Sequence, residues 1–424
     1  MSDADRPNAP HVDSSPSSSS DPDGPEQDPT DGGADAANAS PDGDAPQSVN
    51  RRDFARTALL GAAGASFLSG CGGEESASGG DAPNVQTQPQ VRWRLASSFS
   101  RSLDTIYGAA EIMADRVSEI TDGKFQIRSY PGGELVPALE VLSNVQSGTV
   151  QMGHSASYYF IGSNPALAFD ATVPFGMTAR QYNGWMYEGG GLELMREVFA
   201  DFNVRNFPGG NTGMQMGGWF RTEVTSLDDM QGLKMRIPGL GGQVMNEMGV
   251  NTQVLPSGEI YPSLERGAID AAEWVGPYDD EKLGFHEVAQ YYYYPGWWEP
   301  GPALTFYVNQ DAWEELPSTY QSALQAACAE ANVRMLAQYD YKNPAALDRL
   351  LEKDITLRRF PDAVMSRAQE VTTQILEDNA TGNGQYREIY EAYKQARADA
   401  YRWFGTAETA YSDFAFPRTG PGVS

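Results

Sequence analysis

Between residues 91 and 131 the chain changes its hydrophobic period twice. VRWRLAS (91–97) alternates apolar and polar positions as a half-buried strand does. Residues 104–120 then set Ile106, Ala109, Ala110, Met113 and Val117 along one helical stripe, and FQIRSYP (125–131) alternates again. A strand, a helix and a strand in succession predict an α/β layered domain with a mixed sheet.

A pattern of this kind recurs further along. NVQSGTVQMGHSA (144–156) and SLERGAIDAAEWV (263–275) each run from a helix end through a glycine, Gly148 or Gly267, into a short strand of small residues. Glycine there suits a left-handed helix cap. Two such units, and only two, suggest two similarly built lobes rather than a solenoid. The C-terminal portion is helical. TYQSALQAACAEANVRMLAQYDYK (319–342) lacks Gly and Pro and reads as one long helix, ITLRRF (355–360) as a strand, and roughly 362–379 and 384–404 as two more helices. The last of these carries Tyr386, Ile389, Tyr390, Tyr393, Ala396, Ala400, Trp403 and Phe404 at helical spacing. That stripe either covers the protein's own core or forms a dimer interface.

The first 90 residues fall outside this grammar. Residues 1–50 are mostly Asp, Ser, Pro, Gly and Ala, with too few large apolar side chains to offset the entropy of ordering, so an acidic disordered leader is expected. Arg51–Arg52 then precede a short apolar run, Phe54 to Leu68, that is too brief for a membrane span. Twin arginines before a weakly apolar segment resemble a Tat-type export signal, and Leu68-Ser69-Gly70-Cys71 resembles a lipoprotein cleavage site with Cys71 as the lipid anchor. Residues 72–90 read as a flexible tether.

Composition narrows the chemistry. With 57 Asp and Glu against 30 Lys and Arg, the net charge of −27 argues against nucleic acid as a partner, and strong brine would account for the excess. Only Cys71 and Cys328 are present, so lipidation of Cys71 leaves no internal disulfide; three histidines (His11, His154, His286) make a His/Cys zinc site unpromising. No GxSxG, Walker A or dinucleotide-binding GxGxxG sits in a strand–helix setting, and PGLGGQ (238–243) reads as a turn.

Polar residues in the middle of the chain are the candidates. In GGNTGMQMGGWF (209–220), Asn211 and Gln215 lie four apart and would share a face of one strand, with glycines allowing close backbone approach. LDDMQGLKMRIPG (227–239) ends a strand on Arg236, whose planar fork suits a carboxylate. AIDAAEWVGPYDD (268–280) ends another on Glu273–Trp274, and YYYYPGWWEPGP (291–302) adds Glu299 in an aromatic segment.

These segments together, GGNTGMQMGGWF, LKMRIPG, LERGAIDAAEWVGPYDDEKLGF and YYYYPGWWEPG, resemble the DctP-type solute-binding proteins of TRAP transporters, in the branch that takes 2-oxo or 2-hydroxy monocarboxylates such as pyruvate and lactate. The resemblance spans roughly residues 91–410. It implies a two-lobe, periplasmic-binding-protein-like α/β architecture with mixed sheets, a long helix spanning the hinge and extra C-terminal helices. Lobe I would hold residues 91–213 with part of 302–340, lobe II residues 214–301 with part of 340–360, and 361–410 would form C-terminal helices suited to dimerisation. It further implies that Arg236 meets the ligand carboxylate, that Asn211 hydrogen-bonds the same ligand, and that Tyr158, or its neighbour Tyr159, closes over it. A cation would sit beside the ligand on Gln215, Glu273, the Trp274 carbonyl and, more distantly, Glu299. An all-oxygen set suits Na⁺ or Ca²⁺. No redox cofactor is implied, and the expected partners are a small organic acid and the TRAP membrane permease. Two other readings compete: an exported carbohydrate-active enzyme using Glu273, Asp279 and Glu299 as paired carboxylates, and the binding protein of an ABC importer or sensor.

Overall fold

The structure, a computed structural model, describes residues 88–416, all within the compact unit Pro83–Ser424. The leader, the export signal with Cys71, and the tether as far as residue 87 lie outside the described residues.

Among the described residues eleven strands form two mixed sheets. The first has the order β2-β1-β3-β10-β4, built from β1 (Val91–Ser97), β2 (Phe125–Tyr130), β3 (Met152–Ser155), β4 (Val204–Asn211) and β10 (Ala303–Asn309). Here β1 runs parallel to β2 and β3, while β10 is antiparallel to β3 and β4. The second has the order β11-β9-β5-β8-β6-β7, from β5 (Trp219–Phe220), β6 (Lys234–Arg236), β7 (Asn251–Gln253), β8 (Ala271–Ala272), β9 (Tyr291–Tyr294) and β11 (Thr356–Arg359). The α/β class with mixed sheets therefore holds.

The periodicities account for the local elements. Alternation in β1 buries Trp93 and Leu95 and exposes Arg92 and Arg94, and Trp93 meets Phe125 edge-on at 4.9 Å. The helix Gly108–Ile120 begins four residues later than its stripe suggests, yet Ile106, Ala109, Ala110, Met113 and Val117 are all buried. Both helix–glycine–strand units form: Gly148 (φ +72°) leads to β3 and Gly267 (φ +69°) to β8, in different sheets. After the second helix the Gly267 N–H donates to Leu264 O (3.0 Å) and the Ala268 N–H to Ser263 O (2.9 Å), the paired bonds that close a helix on glycine.

Two expectations need correction. PGLGGQ is not a free turn but opens the helix Gly239–Glu247. Its glycines serve close packing, since a Cβ on Gly241 would come within 2.8 Å of the Trp298 Cβ and one on Gly242 within 2.6 Å of Ile237 O. The long helix does not stop near residue 342 but runs Ser318–Leu351 through Pro344. Ala346 and Leu350 are fully buried beyond the proline, so packing outweighs the missing N–H there.

Three segments join the sheets. Residues 212–218 carry the chain from β4 to β5, residues 295–302 return it from β9 to β10, and the helix Ser318–Leu351 leads from the first sheet towards β11. That helix buries Tyr320, Leu324, Ala327, Ala331, Met335 and Tyr339 in a core continuous with both sheets. The stripe of the helix Gly384–Phe404, and the aromatic residues that follow it as far as Phe416, divide into a buried and an exposed part. Tyr386, Ile389, Tyr390 and Tyr393 are buried, with Tyr386 and Tyr393 against Phe169 (5.1 and 5.3 Å between ring centres), whereas Trp403, Tyr411, Phe414 and Phe416 are exposed.

Candidate functional site

Parallel pairing of β6 with β8 sets Arg236 opposite Ala272, and the Glu273 N–H donates to Arg236 O at 3.2 Å. Two strand ends thus bring Arg236 and Glu273 together. Both side chains are 1% exposed and form a direct ion pair. Arg236 Nη1 also donates to Glu273 O (2.8 Å) and Nε to Leu255 O (3.2 Å), while Nη2 lies 3.5 Å from the Tyr159 hydroxyl. Its guanidinium carbon sits 5.0 Å from the Trp274 ring centre.

Gln215 and Glu299 come from the two loop crossings, and backbone bonds fix them to each other. The Gln215 N–H donates to Glu299 O (3.3 Å), the Gly296 N–H to Gln215 O (3.0 Å) and the Met216 N–H to Val275 O (3.0 Å). The glycines are sterically required at two points. A Cβ on Gly296 would meet Met216 O at 2.6 Å, and one on Gly218 (φ +78°) would meet Ala272 O at 2.7 Å and the Glu273 Cβ at 3.1 Å. Gln215 therefore does not share a strand face with Asn211 as expected. Asn211 closes β4, Gly213 (φ +72°) turns the chain, and Gln215 lies in the crossing.

Three oxygens here are buried and have no hydrogen-bond partner: Gln215 Oε1, Glu273 Oε2 and Glu299 Oε2. Gln215 spends its amide N–H₂ on Thr212 Oγ1 (3.2 Å), leaving the oxygen free. Burial pushes both carboxyls up; Glu299 rises well above the usual range because the Glu273 charge adds to its desolvation, and Arg236 pulls against both. Unpaired oxygens in a dry site suit a hard cation. Among the described residues no group of three or more His, Cys, Asp or Glu side chains could hold a metal, so any cation here would rely on amide and carbonyl oxygens as well.

A small cavity adjoins this cluster. Arg236, Gln215, Thr212, Tyr158 and Tyr159 form its polar side, and Phe99, Ile106, Val275 and Leu304, with Trp274, its apolar side. Arg236 is its single cationic group. Tyr158 and Tyr159 arrive on the turn Ser157–Phe160 after β3, so they approach from the first sheet, and the Tyr158 Cβ would lie 3.0 Å from a Cβ on Gly239. Burial drives both tyrosine hydroxyls up, Tyr159 to about 12, so both are neutral donors. His154, packed between Phe99 and Phe306, is pushed down to about 3 by burial and brings no charge. Asn211 is not on the cavity wall. Its Nδ2 donates to Gly301 O (2.9 Å) and its Oδ1 accepts from the Gly213 N–H (2.8 Å), tying one crossing to the other.

The bracing roles of three buried carboxylates escape sequence reasoning. Asp280 accepts from Trp219 Nε1 (3.0 Å) and the Tyr292 hydroxyl (2.7 Å), and Asp279 accepts from the Tyr339 hydroxyl of the long helix (2.7 Å) and Trp274 Nε1 (3.4 Å). They brace the segment that carries Glu273 and Trp274. In the first sheet Asp170 gathers Ser157 Oγ (2.5 Å), Thr305 Oγ1 (2.6 Å) and Asn206 Nδ2 (2.9 Å), fixing the turn that bears Tyr158. Asp279–Asp280 following Gly–Pro signals a helix start, but nothing local signals burial.

The description of the DctP family, bacterial extracellular solute-binding protein family 7, matches residues 96–382. The chain belongs to this family. It is 54% identical over 327 residues to the monocarboxylate 2-oxoacid-binding periplasmic protein of Nostoc sp. PCC 7120, a match spanning 77% of this chain and 90% of that protein. A TRAP transporter solute-binding protein from Bordetella bronchiseptica, a mixed-occupancy dimer with copurified calcium and picolinate, superposes with a TM-score of 0.77 at 48% identity over 77% of this chain and 98% of that one. One from Pseudoalteromonas atlantica, with bound sodium and pyruvate, gives 0.75 at 40% identity over 77% and 100%. As a DctP-family member the chain is a TRAP solute-binding protein, not an enzyme, and it acts outside the cytoplasm. Among the described residues no helix is long and apolar enough to cross a membrane.

Proposed function

We propose that the chain captures a small 2-oxo or 2-hydroxy monocarboxylate, of the pyruvate or lactate kind, together with Na⁺ or Ca²⁺, and delivers it to a TRAP membrane permease. The observation that carries this is the set of three unpartnered buried oxygens, Gln215 Oε1, Glu273 Oε2 and Glu299 Oε2, beside the one guanidinium of the cavity. Arg236 takes the ligand carboxylate by charge-assisted hydrogen bonds. Gln215, Glu273 and Glu299, with the Trp274 carbonyl, hold the cation, which supplies positive charge for the ligand oxygens. Tyr158 and Tyr159 donate from the first sheet, and Phe99, Ile106 and Leu304 exclude water. Relatives that hold calcium with picolinate or sodium with pyruvate support this choice of partners. Asn211, with its amide engaged by backbone, acts through the crossing it ties.

The two sheets act as the two lobes, 91–213 with part of 302–340 and 214–301 with part of 340–360, hinged at the three crossings. Contacts made only when Tyr158 meets the Gly239 helix favour the closed state, and ligand shifts the population towards it. A Tat-type signal and a lipid on Cys71 keep the receptor exported and tethered near its permease. The exposed Trp403, Tyr411, Phe414 and Phe416 support a homodimer formed through the C-terminal helices.

Titration calorimetry of the purified chain with pyruvate tests the core of this reading. Saturable heat is expected in sodium or calcium buffer and a much weaker signal in choline buffer with chelator. Equal binding without either cation removes the metal from the site, and no binding of any short 2-oxo or 2-hydroxy acid removes the ligand class.

A further inference from the structure

A second cavity, of about 380 Å³, lies against β4, lined by residues of the helices Ala179–Glu188 and Gly191–Ala200 and of the long helix. Leu192, Phe207, Pro208, Ala326 and Ala329 give it an apolar lining, Tyr187 stands at its edge, and Arg196 supplies a charge. Arg196 and Arg205 flank the same ring: their guanidinium carbons are 5.3 and 5.9 Å from the centre of Phe207, and Arg205 is 5.0 Å from that of Trp313. Both Nε groups are buried without a hydrogen-bond partner. Among the described residues neither arginine forms a salt bridge.

This arrangement is costly in a chain so rich in carboxylates. Burial and the neighbouring Arg205 charge push Arg196 down to about 10, and Glu193 is the one acidic group that offsets them. Two like charges that share an aromatic ring, both partly desolvated, lower their free energy when an anion arrives. The apolar walls in turn favour a ligand with a hydrophobic body over a bare inorganic ion.

We propose that this cavity is a second binding site, separate from the one at Arg236, for an amphipathic carboxylate whose head meets Arg196 and whose aryl or alkyl body lies on Phe207, Pro208 and the long helix. Its floor, Phe207–Pro208, belongs to β4, which leads into the crossing that carries Thr212 and Gln215.

The probe is 4-phenylbutanoate, titrated into the full chain with pyruvate in excess, with 4-phenylbutan-1-ol as the neutral control. Saturable binding of the acid is expected in the presence of pyruvate. Binding should weaken at least about tenfold for the alcohol and for Arg196→Met, the loss of one charge-assisted contact. Ala326→Trp, an exposed helix position at the cavity wall, should block the acid while leaving pyruvate binding unchanged. The proposal is overturned if the acid does not bind, if pyruvate displaces it, if the alcohol binds as tightly, or if either variant binds it like the parent. Because the two variants are read with the phenyl acid, a failure of pyruvate to bind would count against the Arg236 site alone.

Discussion

Removing Arg236 separates its two jobs. Replacement by Met leaves the Glu273 carboxylate buried at 1% exposure without its partner, and loss of one member of a buried pair costs about 3–5 kcal/mol. The companion variant Glu273→Gln strands the guanidinium and should cost a similar amount. The double variant Arg236→Met/Glu273→Gln strands neither charge. It still loses the donations to Glu273 O and Leu255 O, worth about 1 kcal/mol each, and so should fall about 2 kcal/mol below the parent. Singles that each exceed the double demand a coupling energy of several kcal/mol, measurable by urea denaturation of all four proteins. Binding should behave otherwise. Two charge-assisted bonds at roughly 1.5–3 kcal/mol each make pyruvate affinity fall by at least about a hundredfold in both Arg236 variants, restored stability notwithstanding. Additive stabilities within about 0.5 kcal/mol would refute the buried pair. Near-parental affinity in the double variant would refute Arg236 as the carboxylate anchor.

Burial raises Asp170 to about 6, above its unfolded value, so the folded state holds its proton longer and stability contributed below about pH 4 is lost as pH rises through 6. Asp170→Asn should flatten the pH dependence of urea stability between pH 4 and 6 by about 3 kcal/mol at most, and an unchanged slope would show that its three donors hold it ionised throughout. A chain ending at Arg402 loses Trp403, Tyr411, Phe414 and Phe416 but keeps the buried Tyr386–Tyr393 face, so sedimentation velocity is expected to show a dimer for the full chain and a monomer for the truncated one. An assembly state unaffected by the truncation would place the interface elsewhere.

Legibility in the sequence followed the range of the interactions. β1 and β2 were readable because alternation is local, and Arg236 and Glu273 because each ends a strand before a Pro or Gly turn. β5 is two residues long, too short for any period, and exists only because β8 and β9 pair with it. The helix at Gly239 was hidden because glycine is read as a breaker, whereas here the missing Cβ of Gly241 admits Trp298. The engagement of Asn211 by backbone and the bracing role of Asp280 are not legible locally. Which donors reach a polar side chain is decided by segments far away, Gly301 for the first and Trp219 with Tyr292 for the second.

Charge counting links the anion and the cation more firmly than any single contact. Arg236 is the one cationic side chain of the cavity, and Glu273 already engages it while Glu299 lies buried alongside. An entering carboxylate would add a further negative charge to a dry site where pairs at contact distance interact by several kcal/mol, even at an effective dielectric of about 20. A site built only to bind an anion would dispense with both glutamates. Their retention next to Arg236 makes sense if the anion and an inorganic cation enter as a neutralising pair. Reciprocity then follows: whatever factor the cation adds to pyruvate affinity, pyruvate must add to cation affinity. A pyruvate-independent cation affinity would set that factor to one and rule out the paired site.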